Sequence, residues 1–324
     1  DRFPTYLSGT RVAVVAEVRT TTPGAMLSWV RVRVGGEQTK YVRLYPYVFL
    51  PYVYVQSRFA SAHFEDGTVV QVTAEAMDTM GQCGTAAPRS STVYNKATLY
   101  GRNEWEQNPS EDSAGVPAAR TNLMAMNHSI CADNTSPGWT RMAFLDDLVP
   151  CTALYIHTHA VTPAMITADD PGEVITANDM WLVRQVAVGS GYPPFNSGTP
   201  PINLAFVDSC ITGQENYFAE ALLFPEYTAY NQNWCENQCE VGWRIEKLTV
   251  GTRAASEAFW GALAGGVTAH QARDAASRAY WYHTTGDPNY QSPTQTLSVW
   301  GDYCTRLCGL YTYGDSVASG FWHD

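Results

Sequence analysis

Two short stretches constrain this fold more than any others: Thr152-Ala-Leu-Tyr-Ile-His157-Thr-His159-Ala160 and Ile202-Asn-Leu-Ala-Phe-Val-Asp208-Ser-Cys210-Ile-Thr-Gly213. Each is a run of mostly apolar and β-branched residues, the pattern of a strand buried on both faces of a parallel sheet. Each also ends in a reactive side chain, His159 in one case and Cys210 in the other. About forty residues separate the runs, enough for a crossover helix, and parallel neighbours joined in that way present both C-terminal ends on one edge of the sheet. Open α/β sheets bind ligands along that edge. A thiol and an imidazole meeting there form the minimal apparatus for nucleophilic acyl transfer.

The rest of the chain fits an exported, globular protein of one large domain or two. Its 324 residues are 45% hydrophobic and only 16% charged, a balance that supports a full core and argues against disorder. The net charge of −11, with only three lysines, excludes a phosphate-binding surface and hence nucleic acid, while leaving basic peptides and cations as partners. No apolar run is long enough to span a bilayer; the most apolar stretch, Tyr45 to Val55, is short and carries Pro46 and Pro51. Eight cysteines suit an oxidising compartment, so secretion or cell-surface display is expected. A first residue of Asp1 rather than methionine fits removal of a secretion signal, although a trimmed chain looks the same.

Taken in order, Arg11–Arg19, Ser28–Val34, Tyr41–Val48 and Thr68–Ala76 read as strands, with Gly35-Gly36 as a turn. They predict a small all-β, sandwich-like domain over residues 1–90, closed by a Gly, Ala, Pro and Ser linker from about Gln82 to Ser91. An α/β domain over 91–324 follows, with its first strand near Val93–Tyr100 and a polar loop over 103–115. Ser136-Pro137 has the form of an N-cap and first helical residue, leading into a stripe of Trp139, Met142, Leu145 and Leu148. Thr176-Ala-Asn-Asp179 and Thr268-Ala-His-Gln271 have capping-box spacing. The aromatic, irregular segment from about 215 to 242 reads as a Cys-containing surface insertion, Trp243–Gly251 as a strand and Ser256–Ala264 as a helix.

The histidine and cysteine strand ends, the intervening Glu173-Val-Ile-Thr-Ala-Asn-Asp179 and the later Phe259-Trp-x-Ala-Leu-x-x-Gly-x-Thr268 together resemble the caspase-like cysteine peptidases, the group of caspases, metacaspases, gingipains and clostripain. The resemblance spans roughly residues 152–280. It implies a caspase-like three-layer α/β sandwich around a mostly parallel sheet, a secreted or surface endopeptidase with no required cofactor, and peptide or protein substrates. By position it assigns Cys210 as nucleophile, His159 as its partner, and the backbone N–H groups of Ala160 and Cys210 as the oxyanion hole. Asp208 matches the residue that lines a pocket for an arginine or lysine side chain in metacaspases. His157 stands where that pocket usually has serine, and Ala160 where glycine is usual; both departures bear on specificity. The phrase Gly67 to Gly81 weakly resembles the last strands of immunoglobulin-like domains, which makes the N-terminal β domain a candidate surface for self-association.

Several competing readings use the same residues. His157-x-His159 also has the form of a metal-ligating pair, but further ligands are lacking: His270 and His283 lie in ordinary polar surroundings. Cys235, Cys239, Cys304 and Cys308 have the spacing for a four-thiolate zinc site, or for disulfides that staple the insertion to the C-terminal region, with Cys131 then free to pair with Cys151. Cys83 and Cys210 are left over in that scheme. Asp146-Asp147 and Asp169-Asp170 read as solvated charges, with calcium a weakly supported option. A caspase-fold chain without activity, serving as an extracellular structural or assembly subunit, is the rival to the peptidase. An imidazole of His157 paired with Asp208 would favour that rival, because the pair would fill the space for a basic substrate side chain.

Overall fold

The computed structural model describes residues 6–7, 12–44, 53–59, 61–101, 115–134, 139–161, 163–166, 173–189, 202–223, 238–247, 249–287, 293–301, 305 and 307. The first unit is all β: β1 (Tyr6–Leu7), β2 (Val12–Val18), β3 (Leu27–Val34), β4 (Glu37–Arg43), β5 (Val53–Phe59), β6 (Val69–Asp78), β7 (Cys83–Thr85) and β8 (Arg89–Val93). Five strands form a sheet in the order β1-β8-β6-β3-β4, with β7 added to β6, and β2 pairs with β5 in a second layer. Leu27, Val30, Val32 and Val34 of β3 point inward, and Val30 and Val32 share a core with Ala16 of β2 and Val55 of β5. On the solvent side of β3, Arg31 pairs across the register with Glu75 of β6. Gly35-Gly36 turns β3 into β4 at φ of 59° and 87°, and a Cβ on Gly35 would lie 2.5 Å from the Phe64 ring.

Three strand expectations shift. The strand expected at Tyr41–Val48 begins earlier, at Glu37, because the tight Gly-Gly turn leaves no room for a longer loop; residues 45–48 lie outside the described set. Most of the phrase from Gly67 to Gly81 is one ten-residue strand, β6, whose turn into β7 is held by Asp78 Oδ1, which accepts from the N–H groups of Met80 and Gln82, both at 2.9 Å. The expected linker contains β7 and the first part of β8, whose mostly exposed polar residues pair through backbone groups and so lack an apolar alternation. The chain changes sheets at Asn95: its N–H donates to Asp66 at 2.8 Å, its side chain donates to the carbonyls of Ser61 and Phe64 and accepts from the Ser61 hydroxyl at 2.6 Å.

The second unit runs β9 (Lys96–Gly101), α1 (Gly115–Ala125), β10 (Ser129–Asn134), α2 (Arg141–Leu148), β11 (Ala153–His157), β12 (Ala160–Val161), β13 (Ala164–Ile166), β14 (Val174–Thr176), α3 (Ala177–Gly189), β15 (Leu204–Asp208), α4 (Tyr217–Leu222), β16 (Cys239–Trp243), α5 (Thr249–Ala264), α6 (Ala269–Thr285), α7 (Pro293–Thr296) and β17 (Leu297–Gly301). Its central sheet has the order β10-β9-β11-β15-β16-β17, parallel throughout except for β17. Helices α1, α5 and α6 cover one face through Val116, Leu123, Phe259, Trp260 and Ala276. Helices α2, α3 and α4 cover the other through Phe144, Leu148, Met180, Phe218 and Leu222. The result is a three-layer α/β arrangement with a mostly parallel sheet, and its strand order reverses direction between β9 and β11.

Both capping boxes form. The Asp179 carboxylate accepts from the Thr176 N–H at 2.8 Å while Thr176 Oγ1 accepts from the Asp179 N–H at 3.1 Å, and Thr268 and Gln271 do the same at the start of α6. Other boundaries differ. Helix α2 is capped by Thr140, which accepts from the Ala143 N–H at 3.2 Å, and Ser136-Pro137 lie outside the described residues. On its expected stripe Leu145 and Leu148 are buried while Met142 is exposed. The region expected as an insertion contributes α4 and β16 to the core; residues 224–237 lie outside the described set. The strand expected at Trp243–Gly251 ends at Trp243, and α5 begins at Thr249. Gly242, next to the last residue of β16, and the acidic residue type at Glu240 hid its strand character.

Candidate active site

Strands β11 and β15 are parallel neighbours in register, with His157 opposite Asp208. His159 and Cys210 therefore each lie two residues beyond a paired position, past the C-terminal ends of adjacent strands and beside the β9–β11 reversal. His159 is exposed and Cys210 partly buried. Ala160 opens β12, where it pairs with Met165 of β13.

The turn after β15 is tied to the exit of β16. The Ile211 N–H donates to the Ile245 carbonyl at 3.1 Å, the Gly213 N–H to the Trp243 carbonyl at 2.7 Å, and Gln214 Nε2 to the Arg244 carbonyl at 2.8 Å. Thr212 Oγ1 lies 2.9 Å from the carbonyls of both Val207 and Ser209. Gly213 is required by contact, since a Cβ there would stand 2.3 Å from the Gly242 carbonyl oxygen. Ile211 adopts φ of 53°, a left-handed conformation that a β-branched residue rarely takes. Such strain costs about 1–3 kcal/mol and persists where the surroundings over-determine it, as this web of bonds does.

Beneath the turn lies a buried ionic cluster. The Asp208 side chain is 0% exposed and its Oδ2 accepts from the Tyr155 hydroxyl at 2.6 Å and the Ser256 hydroxyl at 3.1 Å. Oδ1 accepts from Trp243 Nε1 at 2.6 Å and from Lys247 Nζ at 2.8 Å. His157 Nδ1 lies 3.0 Å from Oδ2 and 3.1 Å from Lys247 Nζ, so it either donates to the carboxylate or accepts from the ammonium, and cannot do both. Lys247 also donates to the Asp208 backbone carbonyl at 2.7 Å. Burial alone pushes the Asp208 carboxyl up, but the charges and hydrogen bonds of Lys247 and His157 outweigh it and hold the group below the usual carboxylate range. The Tyr155 hydroxyl is pushed well above its ordinary value, first by burial and then by the adjacent carboxylate.

The sequence singled out His157, His159, Ala160, Asp208 and Cys210; the parallel pairing sets His157 opposite Asp208, His159 and Cys210 follow two residues beyond that pair, and Ala160 begins a separate antiparallel sheet. It missed Tyr155, Trp243, Lys247 and Ser256, which satisfy Asp208. The one available signal was the scarcity of lysine, which makes each of three positions conspicuous. The metal reading of His157-x-His159 meets an ammonium 3.1 Å from His157, a neighbour that repels a cation. Among the described residues no group of three or more His, Cys, Asp or Glu side chains is arranged to hold a metal ion. Asp147, offered for calcium, accepts from Tyr100 at 2.6 Å and Asn134 at 3.1 Å, while Asp169-Asp170 lie outside the described residues.

The pairing of Cys131 with Cys151 is corrected, because both are free. Cys131 is exposed on β10, whereas Cys151 is buried with its thiol donating to the Ala153 carbonyl at 3.0 Å, and burial pushes that thiol up to about 12. Cys239 is buried within β16, and the cysteines grouped with it, Cys235, Cys304 and Cys308, lie outside the described residues. No helix among the described residues is long and apolar enough to cross a membrane.

No protein-family model matches the chain, and no curated protein does either. Solved structures do. Gingipain R, an Arg-specific cysteine proteinase, is 14% identical with a TM-score of 0.45, over 65% of this chain and 47% of that one. The complex of the pro- and mature domains of Porphyromonas gingivalis RgpB is 13% identical at a TM-score of 0.38, over 66% and 49%. Caspase-1 from Spodoptera frugiperda is 9% identical at 0.38, over 68% and 92%. The chain thus spans about half the length of the two gingipain chains.

Proposed function

We propose that this chain is an exported cysteine endopeptidase with a caspase-like α/β domain, in which Cys210 is the nucleophile and His159 its partner. The observation that carries the reading is the β11–β15 register, which brings two reactive side chains past adjacent strand ends at equivalent positions. In this reaction His159 takes the thiol proton or polarises the scissile carbonyl, the Cys210 sulfur attacks that carbonyl, and the N–H groups of Ala160 and Cys210 hold the resulting oxyanion. The intermediate collapses as the scissile C–N bond breaks and the amine leaves with the proton taken from the thiol, and water then hydrolyses the thioester, returning the Cys210 thiol and releasing the carboxylic acid. The over-constrained turn at Ile211 supports the reading, since strain of this kind is concentrated where a backbone N–H must be held in place.

A preference for basic substrate side chains does not fit. Asp208 is fully buried and already surrounded by five polar neighbours, one of them a cation from the chain itself. That same observation favours the second reading, a catalytically inactive relative with a structural or assembly role. It speaks to specificity more directly than to the nucleophile, which is why the peptidase is preferred.

Native alkylation separates the two. If Cys210 is a partnered thiolate, iodoacetamide should label it faster than the exposed Cys83 and Cys131, and Cys210→Ala should abolish turnover of a peptide reporter mixture. Equal labelling of all three thiols with no turnover would leave the inactive relative as the surviving reading.

A further inference from the structure

We infer that Lys247 is the resident cation of a built ammonium pocket beside the reacting edge, and that its presence decides which substrate side chains the site rejects. The ammonium of Lys247 faces the Asp208 carboxylate at 2.8 Å, the Asp208 carbonyl at 2.7 Å and His157 Nδ1 at 3.1 Å, and its Nζ stands 5.9 Å from the centre of the Trp243 ring. The Asp208 carboxylate and carbonyl oxygens accept two of the three N–H donors of the ammonium, His157 Nδ1 stands within reach of the third whenever it does not itself donate to Asp208, and an indole face adds cation–π attraction. A planar guanidinium, whose donors are fixed in a fork, fits this arrangement less well. The Lys247 side chain is only 7% exposed, so the cage is closed by its own occupant.

The pocket opens toward the reacting edge. Asp208 is the last residue of β15, Lys247 lies four residues past the end of β16, and β15 and β16 are parallel neighbours, so Lys247 reaches in from the edge that carries Cys210. Asp208 is two residues from Cys210, at most about 7 Å of extended chain. A substrate side chain entering beside Cys210 therefore meets a carboxylate whose charge is already neutralised. Without Lys247 the same cage is a carboxylate, a carbonyl and an indole with no cation, a receptor for a lysine-like side chain.

The inference rests on the reading of Cys210 as nucleophile only for its cleavage arm, and the experiment keeps the two apart. Lys247→Ala should have a thermal midpoint that n-butylammonium raises by about 3 °C or more, because a ligand that binds only the folded state stabilises it. Tetramethylammonium, which has no N–H to donate, should have no effect at equal ionic strength, and the unsubstituted protein should respond to neither. No response in the variant, or an equal response in the unsubstituted protein, overturns the pocket. Should Lys247→Ala fail to fold, it is refolded with and without n-butylammonium: recovery only with the amine supports the pocket, and no recovery overturns it. In the cleavage arm, the ratio of lysyl to neutral reporter turnover should rise at least about tenfold in the variant, and lysyl reporters should gain more than arginyl ones. An unchanged ratio overturns the role in specificity. If neither protein cuts any reporter while the butylammonium response holds, the nucleophile assignment falls and the resident cation stands.

Discussion

Asp208 and Glu240 are both fully buried carboxyl residues, on the neighbouring strands β15 and β16, yet they live in opposite electrostatic circumstances. Asp208 has five polar side chains around its two oxygens, including an ammonium, and is held ionised. Both oxygens of Glu240, which pairs in register with Ala205 and Trp300, have no hydrogen-bond partner among the described residues, and burial pushes its carboxyl well above the ordinary value. Equal burial thus accompanies a carboxyl held ionised by its partners in one place and a carboxyl pushed toward its neutral form in the other. Desolvation acts on both, and only Asp208 has compensating partners.

The largest expected effect breaks the Asp208 side of this contrast. Asp208→Asn leaves Lys247 buried without its counter-ion and should cost about 3–5 kcal/mol, read from the denaturant midpoint at unchanged slope. The folded-state value of Asp208 lies below its unfolded value of 3.8, so its contribution is present above that pH and is lost as pH falls below it. An Asn variant should therefore approach the unsubstituted protein in strong acid.

Glu240→Gln tests the other side with the opposite sign. A carboxyl whose folded value is raised above 4.5 is tolerated below that pH and destabilises progressively as pH rises, by about 1.4 kcal/mol per unit until it ionises in the folded state. The stability of Glu240→Gln relative to the unsubstituted protein should increase from pH 4.5 to 7. A difference that does not vary with pH would show that Glu240 has a partner it is not seen to have.

His128 sharpens the comparison with a base. It is buried with its Nδ1 3.0 Å from the Met126 carbonyl, and burial lowers it to about 4. Its folded value is depressed from 6.5, so the stability it contributes is complete above pH 6.5 and is lost as pH falls toward 4, by up to about 3 kcal/mol. His128→Gln should flatten that part of the pH–stability curve, which thermal melts at half-unit intervals would reveal.

The smallest effect removes one donor of five. Ser256→Ala should cost about 1 kcal/mol or less, since Oδ2 keeps the shorter bond from Tyr155. A cost as large as that of Asp208→Asn would mean that the hydroxyl, rather than Lys247, holds the carboxylate ionised.

The features that were legible share a local cause. Capping boxes at Thr176 and Thr268 are set by residues three apart, and the strands ending near His157 and Asp208 by an uninterrupted apolar run. Where the local pattern is weak, elements were lost: α1 follows a long polar stretch and carries small residues, β8 is polar, and β16 is broken by Glu240 and Gly242. Each is held by its neighbours. Gly115 at the start of α1 shows how closely, since a Cβ there would meet the Tyr155 hydroxyl at 1.9 Å.

By itself, then, the sequence determined that two buried parallel strands would carry His159 and Cys210 at or just past their C-terminal ends, because hydrophobic period and crossover length are properties of contiguous residues. It also determined that His157 and Asp208 would stand near each other, since their spacing from those ends is the same. Only the tertiary structure decided what Asp208 does. Lys247 reaches it from 39 residues away, Ser256 from 48 and Trp243 from 35, through an exit turn and a helix whose placement no local pattern specifies. A carboxylate beside a reactive cysteine reads in sequence as a receptor for a basic substrate. Packing supplied the cation from within the chain, because a charge with no access to water must find its partner inside the fold.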